Sequence, residues 1–163
     1  MAKKVKRKKL LTEQILDKHK IAYESLELNA LEGQLPKGIQ ADRIFKTLAL
    51  TGDRTGPVIG IVPITDHLSE KKLARISGNK KVQMIPHKEL QQITGYVHGA
   101  NNPIGIRQGH RFPIFIDQKA LELGDIIVSA GEIGRSIKLD SRLLARLVQA
   151  EFADIRDERQ ARN

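Results

Sequence analysis

Two apolar runs, Thr47 to Thr51 and Val58 to Val62, are joined by Gly52-Asp53-Arg54-Thr55-Gly56-Pro57. Glycine, aspartate and proline supply the backbone turns that a reversal between paired strands needs, so this spacing predicts an antiparallel hairpin. The other elements arrange themselves around it. Leu11, Ile15 and Leu16 share one helical face, and the stretch from Lys20 through Tyr23, Leu26 and Leu28 suits a strand. Leu31 to Gln40, with Gly33, Pro36 and Gly38, reads as loop. Beyond the hairpin, Ser69 to Ser77 predicts a helix stopped by Gly78, Lys81 to Ile85 a short strand, and Pro86 the start of a helix running through Ile93. Thr94 to Phe112 is rich in Gly, Asn, His and Pro and has no period, which predicts a long loop of the kind that carries function. Pro113 to Ile116, Ile126 to Ser129 and Ser136 to Leu139 are further strands, the last two separated by Gly131-Glu132-Ile133-Gly134. Ser141 is placed to cap a final helix with the stripe Leu143, Leu144, Leu147 and Val148. Strands and helices interleave without a regular βαβα rhythm, which favours an α+β fold, a mixed sheet wrapped by helices.

The chain of 163 residues is long enough to bury one core without disulfides or a structural metal. Residues 1–10 read as a basic, solvated arm and residues 11–163 as one domain. No apolar run approaches the roughly 18 residues of a membrane span, and the basic start is not followed by an apolar signal segment. A soluble, cytoplasmic protein with no membrane partner is therefore expected. The absence of cysteine excludes disulfide bracing, thiolate zinc sites and a catalytic thiolate. Any thiol chemistry has to come from a substrate.

Lys and Arg number 28 against 19 Asp and Glu, which points to a polyanionic partner such as nucleic acid. Lys3, Lys4, Lys6, Arg7, Lys8 and Lys9 account for six of these charges and leave about +3 for the remainder. On RNA such an arm strengthens phosphate contacts without reading sequence. Four Phe, two Tyr and no Trp are too few for a dedicated single-strand reader that stacks on bases.

Several chemistries find no support. Neither G-x-x-x-x-G-K-[ST] nor G-x-G-x-x-G is present, and no H-E-x-x-H or G-x-S-x-G occurs. His19, His67, His87, His98 and His110 fall at no metal-ligand spacing, so neither metal nor cofactor is expected. His98 and His110 stand out because they flank the long loop. What remains is Lys46, at the start of the first hairpin strand, and the Gly99-Ala100-Asn101-Asn102-Pro103-Ile104-Gly105 segment. Its glycines permit close backbone approach, and its N–H groups could face an anion or a carbonyl oxygen. Each feature alone reads first as something plainer, Lys46 as a solvated strand end and the glycine-containing segment as a connecting turn.

Their order is more informative. Phe45-Lys46-Thr47-Leu48, Pro63, Lys80-Lys81-Val82, Thr94-Gly95-Tyr96, Gly99 through Pro103-Ile104-Gly105, Asp117 and Ser129-Ala130-Gly131 together resemble the YbaK/EbsC family, which is similar to the editing domain of bacterial prolyl-tRNA synthetases. The resemblance runs from about Leu11 to Ala153. It implies a mixed, largely antiparallel, partly barrel-like sheet surrounded by helices, with a pocket between the lysine and the Gly-x-x-x-Pro loop. It implies trans-editing, the deacylation of a mischarged tRNA at its acceptor end, with Cys-tRNA(Pro) the best-known substrate of that branch and prolyl-tRNA synthetase a partner to consider. Lys46 matches the essential lysine. Gly99, Ala100, Asn101, Asn102 and Pro103 stand in the substrate loop, with Thr94, Tyr96, Ser129 and Gly131 as further substrate-binding positions. Departures are Ala100-Asn101-Asn102 where Gly-x-Ser is common, Leu28 where a tyrosine can occur, and Ser136 where an aspartate can.

An aminoacyl ester is already activated, so its hydrolysis needs mainly positioning and stabilisation of a tetrahedral oxyanion. Backbone donors near Gly99 to Pro103 suit the oxyanion, and Lys46 suits either the terminal phosphate or the ribose. The nucleophile is then the substrate's thiol, a ribose hydroxyl or water, and thiol attack would make the enzyme formally a lyase. The competing reading is a non-catalytic tRNA-binding or regulatory module of the same fold.

Overall fold

The computed structural model describes residues 8–28, 35 and 38–157. The charged residues of the arm before Lys8, and most of the expected loop from Leu31, lie outside them. The hairpin is present as β2 (Phe45–Gly52) and β3 (Gly56–Pro63), paired from Phe45 opposite Pro63 to Gly52 opposite Gly56. Asn79 holds its turn: its Oδ1 accepts from the amides of Arg54 and Thr55 at 2.8 and 3.0 Å. A Cβ on Gly52 would meet that Asn79 side chain, so glycine there is a matter of space.

The first helix, α1 (Leu11–Lys18), precedes β1 (Glu24–Glu27). After the hairpin come α2 (Glu70–Ser77), β4 (Val82–Met84), α3 (His87–Thr94), α4 (Pro103–Gly109), β5 (Ile114–Asp117), α5 (Lys119–Leu123), β6 (Asp125–Glu132), β7 (Arg135–Asp140), α6 (Ser141–Val148) and β8 (Glu151–Ala153). One sheet has the order β4-β2-β3-β5-β8 and the other β1-β7-β6. Four of the six strand pairings are antiparallel, whereas β3 with β5 and β5 with β8 run parallel. The mixed α+β expectation holds, with one correction: the sheets meet through an isolated bridge between Ile44 and Ile127 and do not close into a barrel.

The five-stranded sheet is covered on both faces, which explains why β2 and β3 read as continuous apolar runs instead of alternating ones. Ile59 and Ile61 enter the larger core with Leu16, Ile104, Ile116, Ile137 and Leu144, while Val58 and Val62 join Leu50, Leu73 and Phe115 on the other side. A third, small cluster of Leu28, Ile44 and Ile127 packs where the sheets meet.

Three expectations at helix ends need correcting. Leu11 is exposed, and α1 buries Thr12, Glu13, Ile15 and Leu16 instead. The cap of α6 is Asp140, whose Oδ1 accepts from Arg142 and Leu143 amides; Ser141 is buried, and its hydroxyl donates to Ala120 O at 3.0 Å. The 94–112 stretch contains the helix α4, begun by an Asn102 cap with Pro103 in the first turn. That pairing of cap and proline is a start signal. It is masked in the sequence by Gly105 and Gly109, poor helix formers.

Candidate active site

Lys46 is the second residue of β2, and it lines a cavity of about 490 Å³ at the junction of the two sheets. Leu28, Ile44, Phe45 and Leu48 give this cavity an apolar wall, with Gly99, Asn101 and Ser129 facing them from the loop and from β6. The Lys46 side chain is half-buried and makes no hydrogen bond or salt bridge among the described residues. Burial pushes its pKa below the ordinary lysine value, and the charge of Asp66 opposes that only in part. Asp66 is itself engaged by Arg156 at 3.1 Å. An incompletely compensated cation in a concave apolar site is the arrangement expected for an anion receptor.

The loop is rigidly built. Gly95, with φ +88°, ends α3, and the Thr94 hydroxyl accepts from the Tyr96 amide and lies 3.0 Å from Asn101 Oδ1. Asn101 in turn donates from Nδ2 to Thr47 O at 3.2 Å, which ties the loop to the strand that carries Lys46. Gly99 adopts φ +88° in a turn closed by Ala100 N on Val97 O, a conformation that favours glycine. Among the described residues, the amides of Gly99 and Asn101 have no protein acceptor. Both residues line the cavity.

Asn102 is fully buried and accepts from Gly105 N while donating to Ser129 O, both at 2.6 Å, so it clamps α4 to β6. Loss of both bonds costs about 2–3 kcal/mol, combining a helix cap with an unsatisfied buried carbonyl. Asn102→Ala should therefore lower unfolding free energy by about that amount in urea titration. A change below about 0.5 kcal/mol would show that the loop is held by something else.

The structure thus sorts the candidate residues. Lys46, Gly99, Asn101 and Ser129 line the cavity. Ala100, Asn102, Pro103, Thr94, Tyr96 and Gly131 are not among its lining residues. Ala100 and Pro103 are buried. The Tyr96 ring rests over Gly105 and Gly131, at both of which a Cβ would meet it, and burial raises the pKa of its phenol. These six hold the shape of the loop. Asp117 is likewise a structural residue: fully buried, it accepts from the amides of Lys119 and Ile155 and pairs with Arg156 Nε at 2.9 Å.

Other cavity residues were not assigned a role by sequence reasoning, although His98 stood out there as a flank of the long loop. Thr47 has a buried hydroxyl with no partner among the described residues, a state that a ligand commonly relieves. His98 stacks on His87 with ring centroids 4.1 Å apart, and burial together with the His87 charge lowers its pKa. Arg135 lines the cavity and donates to Glu13 at 3.2 Å. Burial works to raise the Glu13 pKa, but hydrogen bonds from Ser25 and Leu10 and the Arg135 charge outweigh it and hold the carboxyl low. Ser136 donates to Leu28 O at 3.3 Å, so the two departures at these positions sit together on one wall. Thr47 and Ser136 lie within quoted motifs or departures, while nothing in the sequence alone marks Arg135.

Comparison with known proteins bears on the family and the fold. A profile of the aminoacyl-tRNA editing domain matches residues 27–147. The chain is 38% identical over 162 residues, 95% of its length and 98% of the relative's, to the Enterococcus faecalis protein named "Putative Cys-tRNA(Pro)/Cys-tRNA(Cys) deacylase EbsC". A crystal structure described as "a putative trans-editing enzyme for prolyl tRNA synthetase" superposes with a TM-score of 0.74 at 20% identity, covering 87% of this chain and 92% of that one. A hypothetical protein of known structure gives 0.79 at 18% identity, covering 89% and 98%. These two show the fold.

Proposed function

The chain belongs to the aminoacyl-tRNA editing family, in the YbaK/EbsC branch, and from that premise we propose that it is a trans-editing deacylase of mischarged tRNA, with Cys-tRNA(Pro) its preferred substrate. The observation that carries the reading is the pairing in one cavity of half-buried Lys46 with the acceptor-free amides of Gly99 and Asn101. The amides suit the oxyanion that forms when the ester carbonyl is attacked, and they are preorganised by the Asn101 to Thr47 bond. Lys46 suits the terminal phosphate or ribose of the acceptor end. The apolar wall of Leu28, Ile44 and Phe45 suits a small uncharged side chain, and Leu28 and Ser136 offer it neither a phenol nor a carboxylate.

The nucleophile proposed is the substrate's own thiol. Its sulfur bonds to the ester carbonyl carbon, the carbon–oxygen bond to the ribose breaks, and the thiol proton ends on the ribose oxygen, releasing a cyclic thioester and free tRNA. The protein's part is to hold the reacting groups in contact, which for oriented groups is worth several kcal/mol of barrier. A deacylation assay over a panel of mischarged tRNAs tests the reading directly. Among the described residues there is no group of three His, Asp or Glu side chains fit to hold a metal ion, so activity should survive EDTA. Loss on chelation with rescue by zinc would overturn the metal-independent account.

A further inference from the structure

Two rings at the Lys46 cavity have no part in the chemistry described so far. His98, just past the end of α3, stacks on His87, the first residue of that helix, with centroids 4.1 Å apart and planes 19° from parallel. Eight helical residues span about 12 Å, so the chain has to run back along α3 for the rings to meet. The left-handed backbone of Gly95 starts that reversal. Of the described residues that line the cavity, only His98 and Gly99 are exposed, which places them at its mouth. His87 covers one face of the His98 ring, and no other aromatic ring among the described residues stacks on it. Phe45, the other ring on the cavity wall, is buried in the core.

A mischarged tRNA carries its amino acid on the terminal ribose, and the same sugar carries an adenine. With the ester carbonyl at the amides of Gly99 and Asn101 and the amino-acid side chain against Leu28, Ile44 and Phe45, the deep part of the cavity is taken. The base then leaves towards the mouth. It is one sugar ring away from Gly99, whose neighbour in the chain is His98. Flat side-chain rings, histidine included, are the surfaces on which unpaired bases stack, and every base has such a face to offer. Burial and the charge of His87 hold the His98 pKa below the ordinary histidine value, so near neutral pH the ring meets a base as neutral imidazole.

We propose that His98, backed by His87, is the stacking platform for the 3′-terminal adenine of the tRNA, and that it thereby holds the ribose whose ester is cleaved. The inference rests on the deacylase reading of the cavity and adds to it a subsite for the base. A single terminal base asks for one exposed ring, which a chain with four Phe, two Tyr and no Trp supplies here with histidine.

The test compares 3′-cysteinyl adenosine with the cysteinyl ester of methyl riboside, which has the sugar and the ester but no base. His98→Ala should raise KM on the adenosine ester about tenfold and leave kcat unchanged, because stacking holds the base equally before and during the reaction. On the base-free ester the variant should behave as the parent does. His98→Phe, which restores a flat ring, should bring KM on the adenosine ester back to within about threefold of the parent. His110→Ala, which removes a stacked histidine that does not line the cavity, should leave both KM values unchanged. An unchanged KM for His98→Ala on the adenosine ester, an equal loss on both esters, or a His98→Phe variant as poor as His98→Ala would each overturn the platform. Binding of 3′-(alanylamino)-3′-deoxyadenosine, a stable amide, reads the platform apart from the chemistry and should weaken about tenfold in His98→Ala. A parent protein that binds this amide through His98 but cleaves no ester would contradict the deacylase reading and leave the platform standing.

Discussion

Lys46→Met is expected to lower deacylation of the preferred mischarged tRNA by at least about tenfold, some 1.4 kcal/mol in kcat/KM, while leaving the protein folded and no less stable. Lys46→Ala should show a similar loss of activity. The reason lies in the lack of a partner. Burial disfavours the ammonium, Asp66 compensates only in part, and no described residue bonds to it. Methionine keeps the apolar stem against the cavity wall and removes the charge. The sign of the stability effect follows from linkage. Because the folded-state pKa lies below the ordinary 10.5, protonated Lys46 opposes folding at every pH below its folded value. That penalty fades as pH rises from the folded pKa to 10.5, so any stability gained by the methionine variant should be largest at neutral and acid pH. Urea midpoints at two pH values alongside kcat/KM check both halves. A fully active variant, or one destabilised by more than about 1 kcal/mol at pH 7, contradicts the role assigned to Lys46.

Cysteinyl-tRNA(Pro) should be deacylated at least about a hundredfold faster than alanyl- or seryl-tRNA(Pro), because alanine offers no nucleophile and a hydroxyl near neutral pH is far weaker than a partly ionised thiol. The chain itself contains no cysteine, and among the described residues no serine hydroxyl is hydrogen-bonded to a histidine, those of Ser129 and Ser136 in the cavity being engaged by Gly131 N and Leu28 O. A second signature distinguishes thiol attack from water. The rate on the cysteine ester should climb with pH as the thiolate fraction grows and level off near the thiol pKa of about 8.5. Comparable rates for cysteine and alanine would instead favour water or the ribose hydroxyl, acting with the same oxyanion donors.

The parts of this fold legible in the sequence are those held by local chemistry. The Gly52 to Pro57 reversal, the Gly78 stop of α2 and the opening of α3 at Pro86 each depend on residues close in sequence. Elements that owe their form to distant partners were less readable. Helix α4 carries two glycines and is held by Asn102 on Ser129 and by the Tyr96 ring over Gly105. Strand β8 has three residues and exists through its parallel pairing with β5. The site divides in the same way. Lys46 and the Gly99 turn were visible because a strand start and a glycine-rich segment mark them. Arg135 was not, since its significance comes from Glu13, 122 positions earlier. Conversely, Thr94, Tyr96 and Asn102 belong to the motif without lining the cavity, because building the loop constrains residue type as strongly as touching a ligand does.

The most direct test of the central claim is single-turnover deacylation of Cys-tRNA(Pro) by the parent protein and by Lys46→Met, followed against spontaneous hydrolysis. The expected result is release of free tRNA by the parent at a rate well above background, and at least about tenfold slower release by the variant. Binding of the charged tRNA with its ester left intact by the parent protein would contradict the claim, and would identify the chain as a binding module that shares the fold without the reaction.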